Sequence, residues 1–279
     1  MAFRTITTIL TDPETNAASI TAAMELARRE EAHLDVLCLG IDRTQPGFYY
    51  AGANAMIVQD NLTQAREDSV RLEAHATKLL EGAPYPWGAT AISSQMVALN
   101  GLVAHRTRFS DLVVLARPYG PGRSHDCEAI TEAAMFDGDA PVLIQPDNTP
   151  FPDEINTVMV AWNESTEALR AVRAALPFLQ RADTVNIAIV DPPQHGPERS
   201  DPGGALSQML SRHGVRPEVS VLSKTLPRVC DVLIRHAGDI GADMIVMGAY
   251  SHSRFRESIL GGATRNMLEL AQVPVLMAH

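Results

Sequence analysis

The chain has 279 residues, 46% of them apolar and 20% charged, with a formal net charge of −10; this length suits two domains of ordinary size, each with enough apolar material for a core. The acidic excess lies in the first half, with 11 basic against 19 acidic residues up to 150 and 12 against 14 beyond it, a balance that repels nucleic acid and anionic membrane. Cys38, Cys127 and Cys230 are odd in number and far apart, with no C-x-x-C pair; this argues against a disulfide framework or structural zinc and fits a reducing cytoplasm.

The opening "MAFRTITTILTDPET" reads as a strand entering a turn, not as an export leader. After the β-branched run "ITTIL" from Ile6, Asp12 has the character of a helix N-cap with Pro13 at the first helical position. A helix follows with Ile20, Met24 and Ala27 at helical spacing, then a second apolar run, "LDVLCLGID". The segment "RTQPGFYYAGANAM" (43–56) leaves the carboxyl end of that strand. Further helical patterns separate "SDLVVLARPYG" (110–120) and "DAPVLIQPD" (139–147). The stretch "PDNTPFPD" (146–153), with three prolines, reads as a linker.

From Ile155 the order starts again. "INTVMVAW" is followed by "NES", by a helix with Leu169, Val172, Leu176 and Leu179 on one face, and by "TVNIAIVD". A proline- and glycine-rich excursion (192–204), a helix carrying Leu226, Val229, Cys230, Leu233, Ile234 and Ala237, and the runs "ADMIVMGAYSH" (242–252) and "QVPVLMAH" complete the second copy. No stretch of about 18 apolar residues offers a membrane span. Short, continuously apolar strands alternating with amphipathic helices predict α/β architecture: two tandem doubly wound domains, residues 1–147 and 151–279, each a five-stranded mostly parallel sheet with helices on both faces.

Chemistry concentrates in "GAYSHSRFRESILGGATRNML" (248–268). Gly248 ends a strand where a bare backbone leaves room for a ligand, and Gly261 and Gly262 precede a helical run whose first amides would point at an anion. Such amides bind phosphate without a lysine. The tandem order of elements and this string after the fourth strand resemble the universal stress protein family, in its two-domain form. Members that bind ATP carry G-x2-G-x9-G-[S/T] here. In this chain Gly248 fills the first glycine, Ser251 replaces the second, Gly261 fills the third, and Gly262 replaces the hydroxyl residue, with Thr264 two positions on. His252, Arg254 and Arg256 share the loop; the arginines also suit a solvated face.

The resemblance implies further contacts. An aspartate after the first strand contacts base or ribose in the family, and its positions here are Asp12 and Asn163; both residue types also cap helices. Val190, ending the second strand of the second half, takes the place of a contact to adenine. Trp162, beside Asn163, suits either stacking on a base or a place in the core or an interface. In the first half Ala116 and Tyr119 replace glycines, Pro118 and Pro121 remove amide donors, and Asp126, Glu128 and Glu132 place negative charge near the next helix, so that site is expected to be lost.

The implied function is a stress-response protein binding an adenine nucleotide, ATP with or without magnesium, through the second domain, the first being a structural partner. The alternative is an interaction protein that binds no nucleotide, as in family members lacking the glycine pattern. A dedicated enzyme is not expected: the chain has no P-loop lysine motif, no G-x-S-x-G elbow and no clustered His/Cys set. The final strands "PVLIQ" and "PVLMA" suit sheet edges, and the resemblance implies intramolecular pairing of the two domains, with a homodimer of the whole chain also open.

Overall fold

The computed structural model describes residues 3–43, 55–147, 149–192, 201–249 and 262–279. The chain divides into two compact units, residues 3–142 and residues 143–279. In the first, β1 (Thr5–Leu10), α1 (Ala17–Glu30), β2 (His33–Asp42), α2 (Ala55–Leu80), β3 (Trp87–Gln95), α3 (Leu99–Thr107), β4 (Leu112–Ala116) and α4 (His125–Glu132) lead to β5 (Val142–Gln145), which spans the division. The second has the same succession: β6 (Thr157–Ala161), α5 (Thr166–Leu179), β7 (Thr184–Val190), α6 (Gly204–Arg212), β8 (Pro217–Leu222), α7 (Val229–Asp239), β9 (Met244–Gly248), α8 (Ala263–Leu270) and β10 (Val275–Ala278).

The first unit's strands lie in the order β3-β2-β1-β4 and the second's in the order β10-β9-β6-β7-β8, with parallel registers throughout. In each, the first strand pairs with its successor on one side and with the fourth strand on the other. That reversal opens a crevice at the carboxyl ends of the strands. Consecutive residues of β1, β4, β9 and β10 are buried, as strands covered on both faces must be.

Both units begin with the same carboxylate device. Asp111 Oδ2 accepts the amides of Arg4 at 2.7 Å and Thr5 at 2.9 Å, and Asp243 Oδ2 accepts those of Asn156 and Thr157, each at 2.9 Å. The Asp111 and Asp243 amides donate back to Thr5 O at 2.9 Å and Thr157 O at 2.8 Å. Each aspartate thus pins the start of the central strand to the fourth. Asp243→Ala is expected to destabilise the chain by about 1.5–3 kcal/mol, the range for a hydrogen bond to a charged acceptor. Urea unfolding checks this, with Asp243→Asn recovering part of the loss through its remaining oxygen.

Two helical details differ from the sequence pattern. Helix α1 begins at Ala17 after a turn in which Asp12 Oδ1 accepts the Thr15 amide at 2.7 Å, so Pro13 lies in that turn and not at a first helical position. The bonded Thr15 amide is also the leading cause holding the Asp12 carboxyl below its ordinary value. In α5 the buried stripe is Ala168, Ala171, Val172, Ala175, Phe178 and Leu179, with Leu169 and Leu176 only partly covered. Cys38 and Cys230 are buried and unbridged, and burial pushes their thiols up to about 12 and about 11. Among the described residues no helix is long and apolar enough to cross a membrane.

Candidate functional site

At the second unit's strand reversal a cleft of about 100 Å³ opens. Ala161, Trp162 and Asn163 approach it from the end of β6, Ala188 and Val190 from β7, and Met247 and Gly248 from the end of β9. Val229 and Leu233 of α7 and Ala263, the first residue of α8, complete the wall. Its sides are largely apolar, while its rim carries a carboxamide and the start of a helix. Sites for small ligands commonly run to about 300–1,000 Å³, so these residues wall only part of a nucleotide-sized site.

The cleft brings together Asn163, Val190 and Gly248, three residues singled out in the sequence. Asn163 is not the helix cap. Its Oδ1 accepts the Ser165 amide at 3.2 Å, and Ser165 is the N-cap, its Oγ accepting the Ala168 amide at 3.1 Å. This arrangement leaves the exposed carboxamide nitrogen as the group Asn163 presents. Trp162 has a buried Nε1 with no hydrogen-bond partner among the described residues, a cost that buried polar groups normally avoid.

Gly248 serves packing as well as space. A Cβ there would overlap the Ala168 amide nitrogen and come within 2.8 Å of Glu167 C and 2.9 Å of Ala168 Cα. The missing side chain therefore makes room for the first turn of α5, where the sequence suggested room for a ligand alone. Gly262 stands at the N-cap of α8 and supplies no side-chain cap, so the first amides of that helix have no intrahelical acceptor. Thr264 is buried, 3% exposed, and is not part of the cleft wall. Ser251, His252 and Gly261, together with Arg254 and Arg256, lie outside the described residues.

The backbone beside the cleft is strained at two non-glycine positions: Glu164 has φ 62° and Asp191, just past β7, has φ 45°. The left-handed conformation costs an L-residue about 1–2 kcal/mol, of which glycine's greater unfolded-state freedom returns about half. Glu164→Gly is therefore expected to raise stability by about 0.5–1 kcal/mol, read from the thermal midpoint. No signal in the residue types marked these positions, because glutamate and aspartate at a strand end ordinarily look like solvated charge.

The corresponding place in the first unit is filled by the protein itself. Asp126, in the first turn of α4, is 2% exposed and pairs with Arg43 Nη2 at 2.9 Å. Tyr119 is buried with its hydroxyl donating to Glu128 at 3.1 Å, and Arg123 Nη1 donates to Thr15 O at 3.2 Å. The segment after β4 thus ties down onto the turn before α1. Burial alone would raise the Asp126 carboxyl, but the hydrogen bonds and charge of Arg43, with Ser124, outweigh it and hold the group below its ordinary value. Glu132, read as negative charge near the start of α4, is that helix's last residue. Among the described residues no group of three or more His, Cys, Asp or Glu gathers to hold a metal.

Comparison with known proteins agrees with this architecture. The model of the universal stress protein family matches residues 154–279. A universal stress protein of Synechocystis sp. is 25% identical over 123 residues, which are 44% of this chain and 42% of that relative, so the chain spans less than half of the curated relative's length. A universal stress protein of Archaeoglobus fulgidus shares the fold over 98% of this chain and 95% of its own, with a TM-score of 0.74 at 16% identity. A functionally unknown protein of Pseudomonas aeruginosa shares it over 99% and 92%, with a TM-score of 0.55 at 15% identity. The matched region holds every residue of the strand-reversal cleft, so residues 154–279 are similar to the universal stress protein family, and the fold shared with its solved structures extends over nearly the whole chain.

Proposed function

We propose that the second unit binds an adenine nucleotide, in the first instance ATP, in the cleft at the ends of β6, β7 and β9, and that the chain is a stress-response protein of the cytoplasm. The observation that carries this reading is the convergence of Asn163, Val190, Gly248 and the start of α8 on one cleft at the strand reversal. The apolar wall of Val190, Leu233 and Met247 suits a flat base. Asn163 would hold the sugar or base edge with its carboxamide, and the first amides of α8, headed by Gly262 and Ala263, would hold the phosphates. Ser251, His252 and Gly261, which lie outside the described residues, are the further candidates that the reading takes from the sequence. ATP, with or without magnesium, supplies the negative charge that this end of the cleft favours. The first unit, whose equivalent place holds Asp126 and Arg43, acts as a structural partner.

Calorimetric titration of the full chain with ATP, ADP and AMP tests the proposal. Ala263→Glu sets a carboxylate at the start of α8, much as Asp126 stands at the start of α4, and is expected to weaken ATP binding at least about thirtyfold through like-charge repulsion. An intact chain that takes up no nucleotide at millimolar concentration, or an Ala263→Glu chain that binds as well as the parent, overturns it. The first of these outcomes favours a nucleotide-free interaction protein.

A further inference from the structure

The cleft has a phosphate end without a lysine, and the fold places an arginine beside it. Arg228 is the N-cap residue of α7. Its chain neighbour Val229 and the first residue of α8, Ala263, both line the cleft. The guanidinium is held in place: Nε and Nη2 donate to the two oxygens of Asp231, each at 2.9 Å, and Nη1 donates to Oδ1 of Asn266, in the first turn of α8, at 3.4 Å. Arg228 thus spans the starts of two helices that meet at the cleft, where both dipoles are positive.

We propose that Arg228 is the cation that reads the length of the ligand's phosphate chain, with Asp231 as the residue that positions it. The inference rests on the nucleotide reading above. Three features of the site support it. A guanidinium has five donors in a fixed fork, and the pair with Asp231 together with the contact to Asn266 uses three of them, so donors remain for phosphate oxygens. The side chain of Arg228 is 51% exposed while Asp231 is 24% exposed, so the fork opens toward solvent, where a tail leaving the cleft must pass. Its bond to the first turn of α8 puts the charge next to the amides that would hold the inner phosphates, and an outer phosphate reaches the guanidinium next.

The consequence is a gradient: affinity rises from adenosine to AMP, ADP and ATP, and most of the rise depends on Arg228. Titration of the full chain with these four ligands is the test, using the parent, Arg228→Gln and Arg228→Lys. Arg228→Gln is expected to lower ATP affinity about tenfold, the worth of one charge-assisted hydrogen bond, and to leave adenosine within about twofold. Arg228→Lys, which keeps the charge and loses the fork, should fall between. The salt dependence of ATP binding should flatten in Arg228→Gln. Equal losses for ATP and adenosine would mean that Arg228 only braces α7 against α8, and equal ATP affinity in parent and variant would mean that it does nothing at the tail; either result overturns the inference while the nucleotide reading stands. A parent chain that binds neither adenosine nor ATP overturns both.

Discussion

A Gly248→Ala chain unfolds more readily than its parent by about 2–4 kcal/mol, and Gly248→Val does not accumulate as folded protein. The magnitude follows from what the new atom meets. Overpacking a core costs about 1–3 kcal/mol when flexible side chains can give way, but here the obstacles are the amide nitrogen and Cα of Ala168 and the carbonyl carbon of Glu167. Backbone in the first turn of a helix moves only by moving the helix. The cap bond from Ala168 to Ser165 is lost with it, adding about 1 kcal/mol. The first unit carries Ala116 at the matching end of β4, where six residues (11–16) lead into α1, against four (162–165) leading into α5. The longer connection leaves the helix room to start farther from the strand. Lengthening the 162–165 connection by two residues should therefore make Gly248→Ala tolerable. Urea midpoints of the four chains check this, and an alanine penalty unchanged by the insertion would refute the steric account.

The second large effect is at Arg43. Removing its guanidinium by Arg43→Gln leaves the 2%-exposed Asp126 carboxylate without its ion-pair partner, and the expected loss at pH 7 is about 1–3 kcal/mol. That is below the usual range for a broken buried pair, because Arg43 itself is 60% exposed and water already screens it. The pH dependence has a definite sign. In the parent, Asp126 is held below its ordinary value of 3.8, so the stability it contributes is complete above that pH and fades as pH falls through the depressed folded value. In Arg43→Gln, burial is opposed only by the hydrogen bonds of Ser124 and the Asp126 amide, so the group lies higher than in the parent and the variant's deficit shrinks as pH drops and Asp126 takes a proton. Unfolding curves of both chains at pH 7 and near pH 4 should show the gap narrowing. A gap that is constant across that interval would mean that Asp126 does not depend on Arg43.

The order of elements was legible in the sequence because hydrophobic period and chain connectivity are local properties: "SDLVVLA" and "ADMIVMG" announce β4 and β9 by composition alone. The matched clamps of Asp111 and Asp243 show why the halves fold alike. The helix faces were less legible. Val172 and Leu179 of α5 are buried as their spacing suggests, but Leu169 and Leu176 are only partly covered, and Ala168, Ala171, Ala175 and Phe178 complete the buried side. Gly248 was visible as important, but its reason was not: a glycine spared for a ligand and one spared for a neighbouring helix look the same in one dimension. Trp162 and Arg228 could be weighed only once β6, α7 and α8 were seen to meet. Thr264 was an attractive substitute for a missing hydroxyl by spacing, whereas its place on the buried side of α8 depends on the phase of a helix that the spacing leaves open.

The paired aspartate clamps operate at the amino ends of the strands, while the Arg43–Asp126 pair of one half and the open cleft of the other lie at the opposite rim. The shared clamp and the divergent rim are thereby set apart along the strands: one copy carries an internal ion pair where its sibling keeps an open mouth, while both keep the same carboxylate clamp. A duplicated protein built on this plan can specialise its halves one rim at a time.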